Sequence, residues 1–380
     1  MSSQTDSPWR ITLADVSIGD AEREAVLGVL DSGWLSMGPV TQQFEEAFEA
    51  TLGAGHALAV TNGTAALHLA AAALGLGPGD EVICPSLTFV ASAAAMRQTG
   101  ATVRLADSTS LDDFSLDPAE IERLVGPRTK AVVVVHYGGF PVDMDAVGEL
   151  ARTHGLLVIE DAAHALGSDL DGRACGTLGD AGCFSFFPNK NMTTGEGGMV
   201  VFRDPEAAER AGRLRSHAMT TLTWDRHRGH ASSYDVLGVG FNYRIDEIRA
   251  ALGLAQLARL DEFNEARQGL AARYRDYGFA ALGLHVPYAT WRGRSAFHLA
   301  PLVAPSRDER DRLRQSLQEA RIQTSVHYPA IHRFSSYAGA GSLPVAEEIA
   351  DRVLTLPLHP GLTASQVDEV CDALAHAAAE

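Results

Sequence analysis

Between about residues 55 and 205, short apolar runs typical of β-strands alternate with longer stretches that have helical periodicity. The strand-like runs are HALAV, EVICP, KAVVVVHY, LLVIED, CFSFF and GMVVFRD. Stretches such as TAALHLAAAALG and MDAVGELARTHG lie between them. Because strands that alternate with helices pair in parallel and are covered by those helices, the pattern predicts an α/β fold with a mostly parallel sheet flanked by helices.

Helix start and stop signals fall where this alternation needs them. Gly100 and Gly155 directly follow helical runs, at positions where a left-handed residue ends a helix. Asp117 precedes Pro118, an arrangement that caps a first helical turn, and DPEA from residue 204 repeats it. These signals support regular strand and helix alternation in this part of the chain.

A different pattern follows a long helical stretch over residues 246–278. SAFHLAPLV is predicted as a strand, SRDERDRLRQSLQEA as a helix, QTSVHYP as a strand, and a last helix follows Thr363. We therefore predict a large domain over residues 1–255, including the N-terminal segment, and a small C-terminal α+β domain over residues 256–380.

The composition is that of a globular protein, since 46% of the 380 residues are hydrophobic and 21% are charged. A formal net charge of −17 argues against nucleic acid or an anionic membrane as the main partner. The sequence shows no membrane segment and no apolar signal core near its N-terminus. The four cysteines have no C-x-x-C spacing, so we expect a cytoplasmic protein with free thiols.

Only two of the 31 basic residues are lysines, Lys130 and Lys190. Arginine cannot replace lysine where a neutral amine must attack a carbonyl, because the guanidinium group stays protonated. Lys130 lies just before a predicted strand, as a solvated charge would, whereas Lys190 lies in FFPNKNMTTGEGGMVV. The sequence therefore predicts covalent amine chemistry at Lys190.

Two segments near predicted strand ends carry polar groups. In VTNGTAALHLA, a turn at Asn62 and Gly63 leads into a helix at Thr64, which suits an anion such as phosphate or forms an ordinary turn. In VIEDAAHALG, a buried strand ends at Asp161, with His164 three residues later. Asp161 suits a cation such as a pyridinium N–H, or it caps the next turn.

The third segment adds Ser185 five residues before Lys190 and glycines at 195, 197 and 198 after it. Glycine-rich backbone lets a flat ligand approach closely, and a serine hydroxyl can join a phosphate site. A phosphate site, an acid for a ring nitrogen and a lysine for a Schiff base together meet the requirements of pyridoxal 5'-phosphate.

Segments along nearly the whole chain resemble the DegT/DnrJ/EryC1/StrS family of sugar aminotransferases, which has the aspartate aminotransferase (fold type I) architecture. The segments that carry the resemblance are SGWLSMGPVTQQFEEAF, AVTNGTAALHLA, PSLTFVASAAA, VHYGGFPVDMDAV, IEDAAHALGS, FSFFPNKNMTTGEGGMVV, GFNYRIDEIRAALGLAQL, VHYPAIH and VLTLPLHPGLT. The resemblance implies an enzyme that uses pyridoxal phosphate. It also implies the large and small domains of that fold.

Carried over position by position, the resemblance implies a role for each matching residue. Lys190 would form the Schiff base with the cofactor, and Asp161 would pair with the pyridine nitrogen. The remaining positions are His164 near the phenolic oxygen, Phe89 stacked on the ring, and Gly63, Thr64 and Ser185 at the phosphate. Asn242 would reach the phosphate from the neighbouring subunit, which implies a homodimer with shared active sites.

The family reaction implies transfer of an amino group from L-glutamate or L-glutamine to a ketone, in two half-reactions. The expected ketone is a nucleotide-linked keto-deoxysugar in secondary-metabolite or surface-glycan biosynthesis. A related branch that removes oxygen has histidine at the position of Lys190, so this lysine argues against a dehydratase. The alternatives are an aminotransferase acting on a free cyclitol ketone, such as an inosose, and a non-catalytic regulator that binds pyridoxal phosphate.

Several further residues are candidates for substrate contacts. The segment TWDRHRGHASSYDV is rich in arginine and histidine and either binds an acidic substrate group or forms a solvated loop. Trp34 and Met37 fall in a segment that lines the site in the family, and core packing is the alternative for Trp34. The candidates are Trp34, Met37, Arg226, Arg228, His230 and His327.

Two departures from expected site patterns complete the sequence evidence. His327 and His332 have no evident third partner, so we expect no metal site. Phe187 stands where many family members have histidine, which implies the loss of a polar contact at this point of the site.

Overall fold

The computed structural model describes residues 7–53, 55–221, 233–339 and 341–379. Within these ranges the chain forms twelve α-helices. They are α1 (Asp20–Ser32), α2 (Pro39–Leu52), α3 (Gly63–Ala73), α4 (Ala91–Gln98), α5 (Pro118–Leu124), α6 (Met144–His154), α7 (Pro205–Leu214), α8 (Glu247–Leu257), α9 (Leu260–Asp276), α10 (Arg307–Glu319), α11 (Pro344–Arg352) and α12 (Ala364–Ala379).

The same ranges contain eleven strands, seven of which form one sheet. The strands are β1 (Ala57–Val60), β2 (Glu81–Pro85), β3 (Thr102–Ala106), β4 (Thr129–Val135), β5 (Leu157–Asp161), β6 (Asp169–Leu170), β7 (Arg173–Ala174), β8 (Ala181–Ser185), β9 (Gly198–Phe202), β10 (Ala300–Val303) and β11 (Val353–Leu356). The large sheet has the order β1-β9-β8-β5-β4-β2-β3, and only β9 runs antiparallel to its neighbours. This confirms the predicted α/β fold with a mostly parallel sheet.

Burial explains which strands the sequence pattern identified. β2 is buried along its whole length and β4 along all but one residue, so both appear in the sequence as continuous apolar runs. β3 has no such run, because it is an edge strand with an exposed Thr102 and a half-buried Arg104. Sequence analysis missed β3 for this reason.

The predicted helix signals are confirmed by the backbone. Gly155 ends α6 with a left-handed φ of 65°, and Gly100 has a φ of 92° after α4. Asp117 accepts a hydrogen bond from the Ala119 amide at the start of α5, and Asp204 caps α7 in the same way. These caps fix where helices leave the sheet.

In the C-terminal part, β10 and β11 form a separate antiparallel pair. The prediction of a strand over QTSVHYP is wrong, because in the described ranges the segment makes only one isolated bridge, from Ser325 to Thr355. Its remaining residues approach the large sheet and carry His327 and Tyr328 to a cavity there. The predicted boundary after residue 255 falls inside α8 and stays a prediction.

No helix in the described ranges has the length and apolar character needed to cross a membrane.

Candidate active site

The register of the sheet brings three functional segments to one edge. Gly198 at the start of β9 pairs with Val60 at the end of β1 and with Ser185 at the end of β8. Asp161 at the end of β5 pairs with Cys183 of β8. The carboxyl ends of β1, β8 and β5 therefore lie side by side, where an α/β sheet presents its ligand site.

A cavity of about 650 Å³ opens at this edge. Its walls come from the ends of β1, β5 and β8, the turn after β8, and residues 327 and 328. The predicted site residues that line it are Gly63, Thr64, Phe89, Asp161, His164, Ser185, Lys190 and His327. One cavity thus brings together residues that are far apart in the sequence.

The start of α3 has the features of a phosphate site. Asn62 caps the helix by accepting a hydrogen bond from the Ala65 amide at 2.8 Å. The amides of Gly63 and Thr64 lie in the first turn, where no earlier helical carbonyl can accept their hydrogen bonds. A Cβ at position 63 would lie 2.9 Å from the Ser185 Cβ, so glycine is needed for helix and serine to meet.

Asp161 is a buried carboxylate that accepts two hydrogen bonds. Ser92 Oγ donates to its Oδ2 at 2.6 Å, and the Ala163 amide donates to its Oδ1 at 3.2 Å. Burial raises the pKa of Asp161, while these donors and the charge of Lys190 act in the opposite direction. Within the described residues, no arginine or lysine forms an ion pair with this carboxylate. The arrangement suits a cationic ligand group.

Lys190 follows β8 in a turn that its amide closes by donating to the Phe187 carbonyl at 2.9 Å. Burial of the amine lowers the pKa of Lys190 to about 8, although the charge of Asp161 raises it, and Arg267 lowers it further. A lysine with this pKa has a substantial neutral fraction near neutral pH, as a nucleophilic amine requires.

Asn191, the residue after the lysine, is held by hydrogen bonds to both the nitrogen and the oxygen of its side-chain amide. Asn191 Nδ2 donates to Asn264 Oδ1 at 2.7 Å and to the Ala296 carbonyl at 2.8 Å. Its Oδ1 lies 3.0 Å from His298 Nδ1. Because Asn264 lies in α9 and His298 precedes β10, the lysine turn is attached to the C-terminal part of the chain.

His164 is a buried, neutral histidine. The Gly138 amide donates to its Nδ1 at 3.3 Å, and the Tyr328 hydroxyl lies 3.0 Å from its Nε2. Burial and the nearby charges of Lys190 and His327 hold the pKa of His164 well below its ordinary value.

Aromatic side chains supply the apolar walls of the cavity. Phe89 is 56% exposed and Phe187 is 46% exposed, values that are high for phenylalanine. The Phe89 ring centroid lies 5.9 Å from that of Tyr328. These faces are available to a flat, partly apolar ligand.

The residues present fit pyridoxal phosphate. The cavity offers free helix amides and Ser185 for the phosphate, Asp161 for a ring cation, Phe89 for a ring face and Lys190 for the aldehyde. Among the described residues, the buried Asn189 Oδ1 atom next to Lys190 has no hydrogen-bond partner, and it adds an acceptor in the same cavity wall.

The remaining sequence candidates lie in different places. His327 lines the cavity, donates to or accepts from Thr355 Oγ1 at 2.9 Å, and has a pKa lowered to about 4 by burial. Trp34 and Met37 do not line the cavity within this chain, and Met37 is buried. Asn242 is exposed and also lies outside the cavity lining. The assignments of these four residues stay predictions.

Arg226, Arg228 and His230 lie outside the described residues, so their proposed substrate contacts also stay predictions.

Sequence analysis missed two residues that complete the site. Ser92 bonds Asp161 directly, but a serine in the alanine-rich run VASAAAM gives no signal of its own. Tyr328 lines the cavity and bonds His164. Its position beside His327 in VHYPAIH was the available signal.

Comparisons with known proteins agree with this geometry. The sequence profile described as the DegT/DnrJ/EryC1/StrS aminotransferase family matches residues 16–375. The spore coat polysaccharide biosynthesis protein SpsC of Bacillus subtilis is 41% identical over 367 residues, which cover 94% of each chain. GDP-perosamine synthase of Caulobacter vibrioides is 42% identical over 372 residues, covering 96% of this chain and 97% of that protein.

Solved structures give the same result. The aminotransferase TlmJ from Streptoalloteichus hindustanus is 38% identical, with a TM-score of 0.90 over 97% of this chain and 99% of that chain. A sugar aminotransferase from Streptococcus pneumoniae in its PLP form is 28% identical, with a TM-score of 0.89 over 97% of this chain and 98% of that chain. The predicted fold type I architecture and the predicted cofactor are confirmed. The chain is thus a pyridoxal-phosphate-dependent enzyme that belongs to the DegT/DnrJ/EryC1/StrS aminotransferase family.

Proposed function

We propose that this aminotransferase transfers an amino group from L-glutamate or L-glutamine to the ketone carbon of a nucleotide-linked keto-deoxysugar. The observation that carries the proposal is the meeting of Lys190, Asp161 and the start of α3 in one cavity. Two relatives support the substrate class, since one is named a GDP-perosamine synthase and the other a spore coat polysaccharide biosynthesis protein. The proposed setting is surface-glycan or secondary-metabolite biosynthesis.

When bound, pyridoxal phosphate supplies a carbonyl that accepts an amine and a ring that withdraws electrons. In our proposal, the Lys190 amine would hold the cofactor at that carbonyl. Once its amine is released, Lys190 moves a proton to or from the substrate carbon. A pKa of about 8 suits both tasks, because the amine can be neutral or protonated near physiological pH.

Asp161 would hold the proton of the ring nitrogen and so keep the ring electron-withdrawing. Its two hydrogen bonds, from Ser92 and Ala163, fix both carboxylate oxygens without neutralising the charge. The amides at the start of α3 and the Ser185 hydroxyl would hold the phosphate. Phe89 would cover one ring face, and Phe187 gives the cavity mouth an apolar surface suited to a deoxygenated sugar.

The test is the absorbance spectrum of the purified protein before and after addition of L-glutamate or L-glutamine. We expect a visible cofactor band that bleaches with one of the two donors and returns when a suitable nucleotide-linked keto sugar is added. Lys190→Arg is the matched control and should give no such band. A protein that holds the cofactor but responds to neither donor would contradict the proposed reaction.

We further propose that the active unit is a homodimer with shared sites. Asn242 is exposed and lies outside the cavity of its own chain, although Tyr243 next to it lines that cavity. The nearby side chains of Val236, Leu237 and Val239 are 52%, 57% and 91% exposed. Exposed apolar side chains of this kind favour burial against another protein surface, and a second copy would bring Asn242 to a partner's phosphate site.

Subunit complementation tests the shared site. Lys190→Ala and Asn242→Ala chains are each expected to have little activity alone, because each damages every site. Mixed under exchange conditions, they should regain about a quarter of wild-type activity, since half of the dimers then hold one site without either change. No recovery, with mixed dimers confirmed by mass spectrometry, would contradict shared sites.

A competition experiment separates a nucleotide-linked substrate from a free cyclitol ketone. If the substrate carries a nucleoside diphosphate, free GDP, UDP or dTDP should inhibit amine transfer competitively against the ketone. Lack of inhibition by all three, together with turnover of an inosose, would favour the cyclitol alternative.

A further inference from the structure

Tyr328 places a hydroxyl group in the wall of the cavity that contains Lys190 and Asp161. The hydroxyl oxygen lies 3.0 Å from Nε2 of His164, and this is its hydrogen-bonding contact in the described ranges. The direction of this bond decides what Tyr328 can do, because a phenol can donate only one hydrogen bond.

The surroundings of His164 settle the direction. A backbone N–H can only donate, so the Gly138 amide at 3.3 Å makes Nδ1 of His164 an acceptor. His164 is buried and neutral, with Lys190 and His327 disfavouring its protonation. A neutral imidazole with an acceptor at Nδ1 carries its proton on Nε2. His164 therefore donates to the Tyr328 oxygen.

Two consequences follow for the ligand. Both nitrogens of His164 are engaged by protein groups, so His164 has no donor left for a ligand oxygen. Tyr328 accepts from His164, and its own O–H has no acceptor within the described part of the chain. That O–H is the donor available to the cavity.

The Tyr328 side chain is also held in place. Its ring lies nearly parallel to the His164 ring, with 6.0 Å between centroids and an angle of 20°. The centroid of the Phe89 ring lies 5.9 Å from that of Tyr328. The carbonyl of the preceding residue, His327, accepts a hydrogen bond from the Tyr137 hydroxyl, which anchors the backbone. Burial and the charge of Asp161 keep the pKa of Tyr328 above its ordinary value, so the hydroxyl stays protonated.

We infer that Tyr328 is a further catalytic residue, whose hydroxyl donates a hydrogen bond to a ligand oxygen beside Lys190 while His164 holds it in that orientation. The oxygen belongs either to the cofactor ring or to the ketone. The inference rests on the proposed placement of the cofactor and ketone beside Lys190.

The test compares Tyr328→Phe with wild type in two measurements. The first is the pH dependence of the absorbance of the bound cofactor. If the acceptor is the ring oxygen, the midpoint moves to higher pH by about one unit, because the lost bond stabilised the deprotonated form, in which that oxygen is more negative.

The second measurement is the single-turnover rate of amine transfer to the ketone. If the acceptor is the ketone oxygen, this rate falls about 10- to 100-fold while the spectrum and the reaction with the amino donor are unchanged. The inference would be overturned if Tyr328→Phe kept the transfer rate within about twofold of wild type and left the pH midpoint of the cofactor absorbance unmoved.

Two controls separate the possible failures. Tyr274→Phe removes the hydroxyl of another buried tyrosine, which bonds the Pro357 carbonyl and does not line the cavity. It should leave both measurements unchanged, and thermal melting of the two variants reports any loss of folding. If Lys190→Arg kept the visible cofactor band, the proposed placement at Lys190 would itself be wrong, whatever Tyr328→Phe showed.

Discussion

The cavity and the neighbouring segment over residues 233–242 differ in how many of their side chains are buried or bonded within one chain. In the cavity, Asp161 and His164 are hydrogen-bonded within the chain and largely buried. In the segment, apolar side chains face outward, and Val239 is 91% exposed. The hydrogen bonds of Asp161 and His164 are thus made within a single chain. The exposed side chains of Val236, Leu237 and Val239 would become buried only if another surface covered them.

This difference follows from the position of each region in the fold. The cavity lies at the carboxyl ends of buried strands, where unpaired polar groups would be costly and are therefore bonded. The segment lies between α7 and α8 and belongs to no strand of the sheet. We expect changes in the cavity to affect chemistry without changing assembly, and changes at the exposed apolar side chains of the segment to affect assembly.

The largest effect is expected for Lys190→Arg, which keeps the positive charge but removes the nucleophilic amine. Transamination should fall by about 10⁴-fold or more, because covalent and proton-transfer roles are lost together. Single-turnover kinetics measure the change. Lys130→Arg, at the exposed lysine of β4, should retain wild-type rates. Substantial activity in the Lys190 variant would contradict the proposed role.

The next effect is expected for Asp161→Asn, which keeps the shape and removes the charge. We expect the donor half-reaction to slow by about 10²- to 10⁴-fold, because the ring nitrogen is then no longer held protonated. Stopped-flow absorbance gives this rate. Asp204→Asn, at the cap of α7, is the matched control and should leave it unchanged. Equal rates in the Asp161 variant and wild type would refute the pairing.

A change in the exposed segment should affect assembly. Val239→Asp places a charge on its most exposed apolar residue, and we expect the dissociation constant of the proposed dimer to rise about 10- to 100-fold. Sedimentation at a series of concentrations measures this. Gln315→Asp, on the exposed side of α10, should have no effect. Unchanged association in the Val239 variant would show that this segment is not the interface.

The smallest effect is the pH dependence of covalent cofactor binding, which is set by the pKa of Lys190. The pKa of Lys190 is lowered to about 8, so its neutral fraction rises as pH increases through 8 and levels off above it. The rate at which cofactor-free protein binds pyridoxal phosphate covalently should therefore increase about 10-fold between pH 7 and pH 9, with a midpoint near pH 8. A rate that is constant across this range would contradict a neutral-amine attack.

Much of the fold and cavity could be predicted from sequence, because strong local signals coincide with buried structure. β4 and β5 are apolar runs in the sequence. Asp161 and Ser185 could be predicted as site residues because each is the last residue of a strand. Sequence analysis was wrong about two segments in which the local pattern does not match the structure. β3 is a polar edge strand, and residues 323–328 make tertiary contacts in place of strand pairing.

The contacts that tune the cavity could not be predicted, since they join distant segments. Ser92 bonds Asp161 across 69 positions of sequence, and Tyr328 bonds His164 across 164 positions. Neither distance nor hydrogen-bond direction is encoded in a local pattern. The role of Tyr328 became visible only when the Gly138 amide fixed the tautomer of His164.

The most direct test of the account is to reduce the purified protein carrying its cofactor with borohydride and to map the modified lysine by peptide mass spectrometry. The chain offers only Lys130 and Lys190 as lysine sites, so Lys130 is an internal control. We predict one pyridoxyl phosphate group per chain, on the peptide that contains Lys190. Modification at Lys130 alone, or no stable adduct in a protein with a full visible band, would contradict the account.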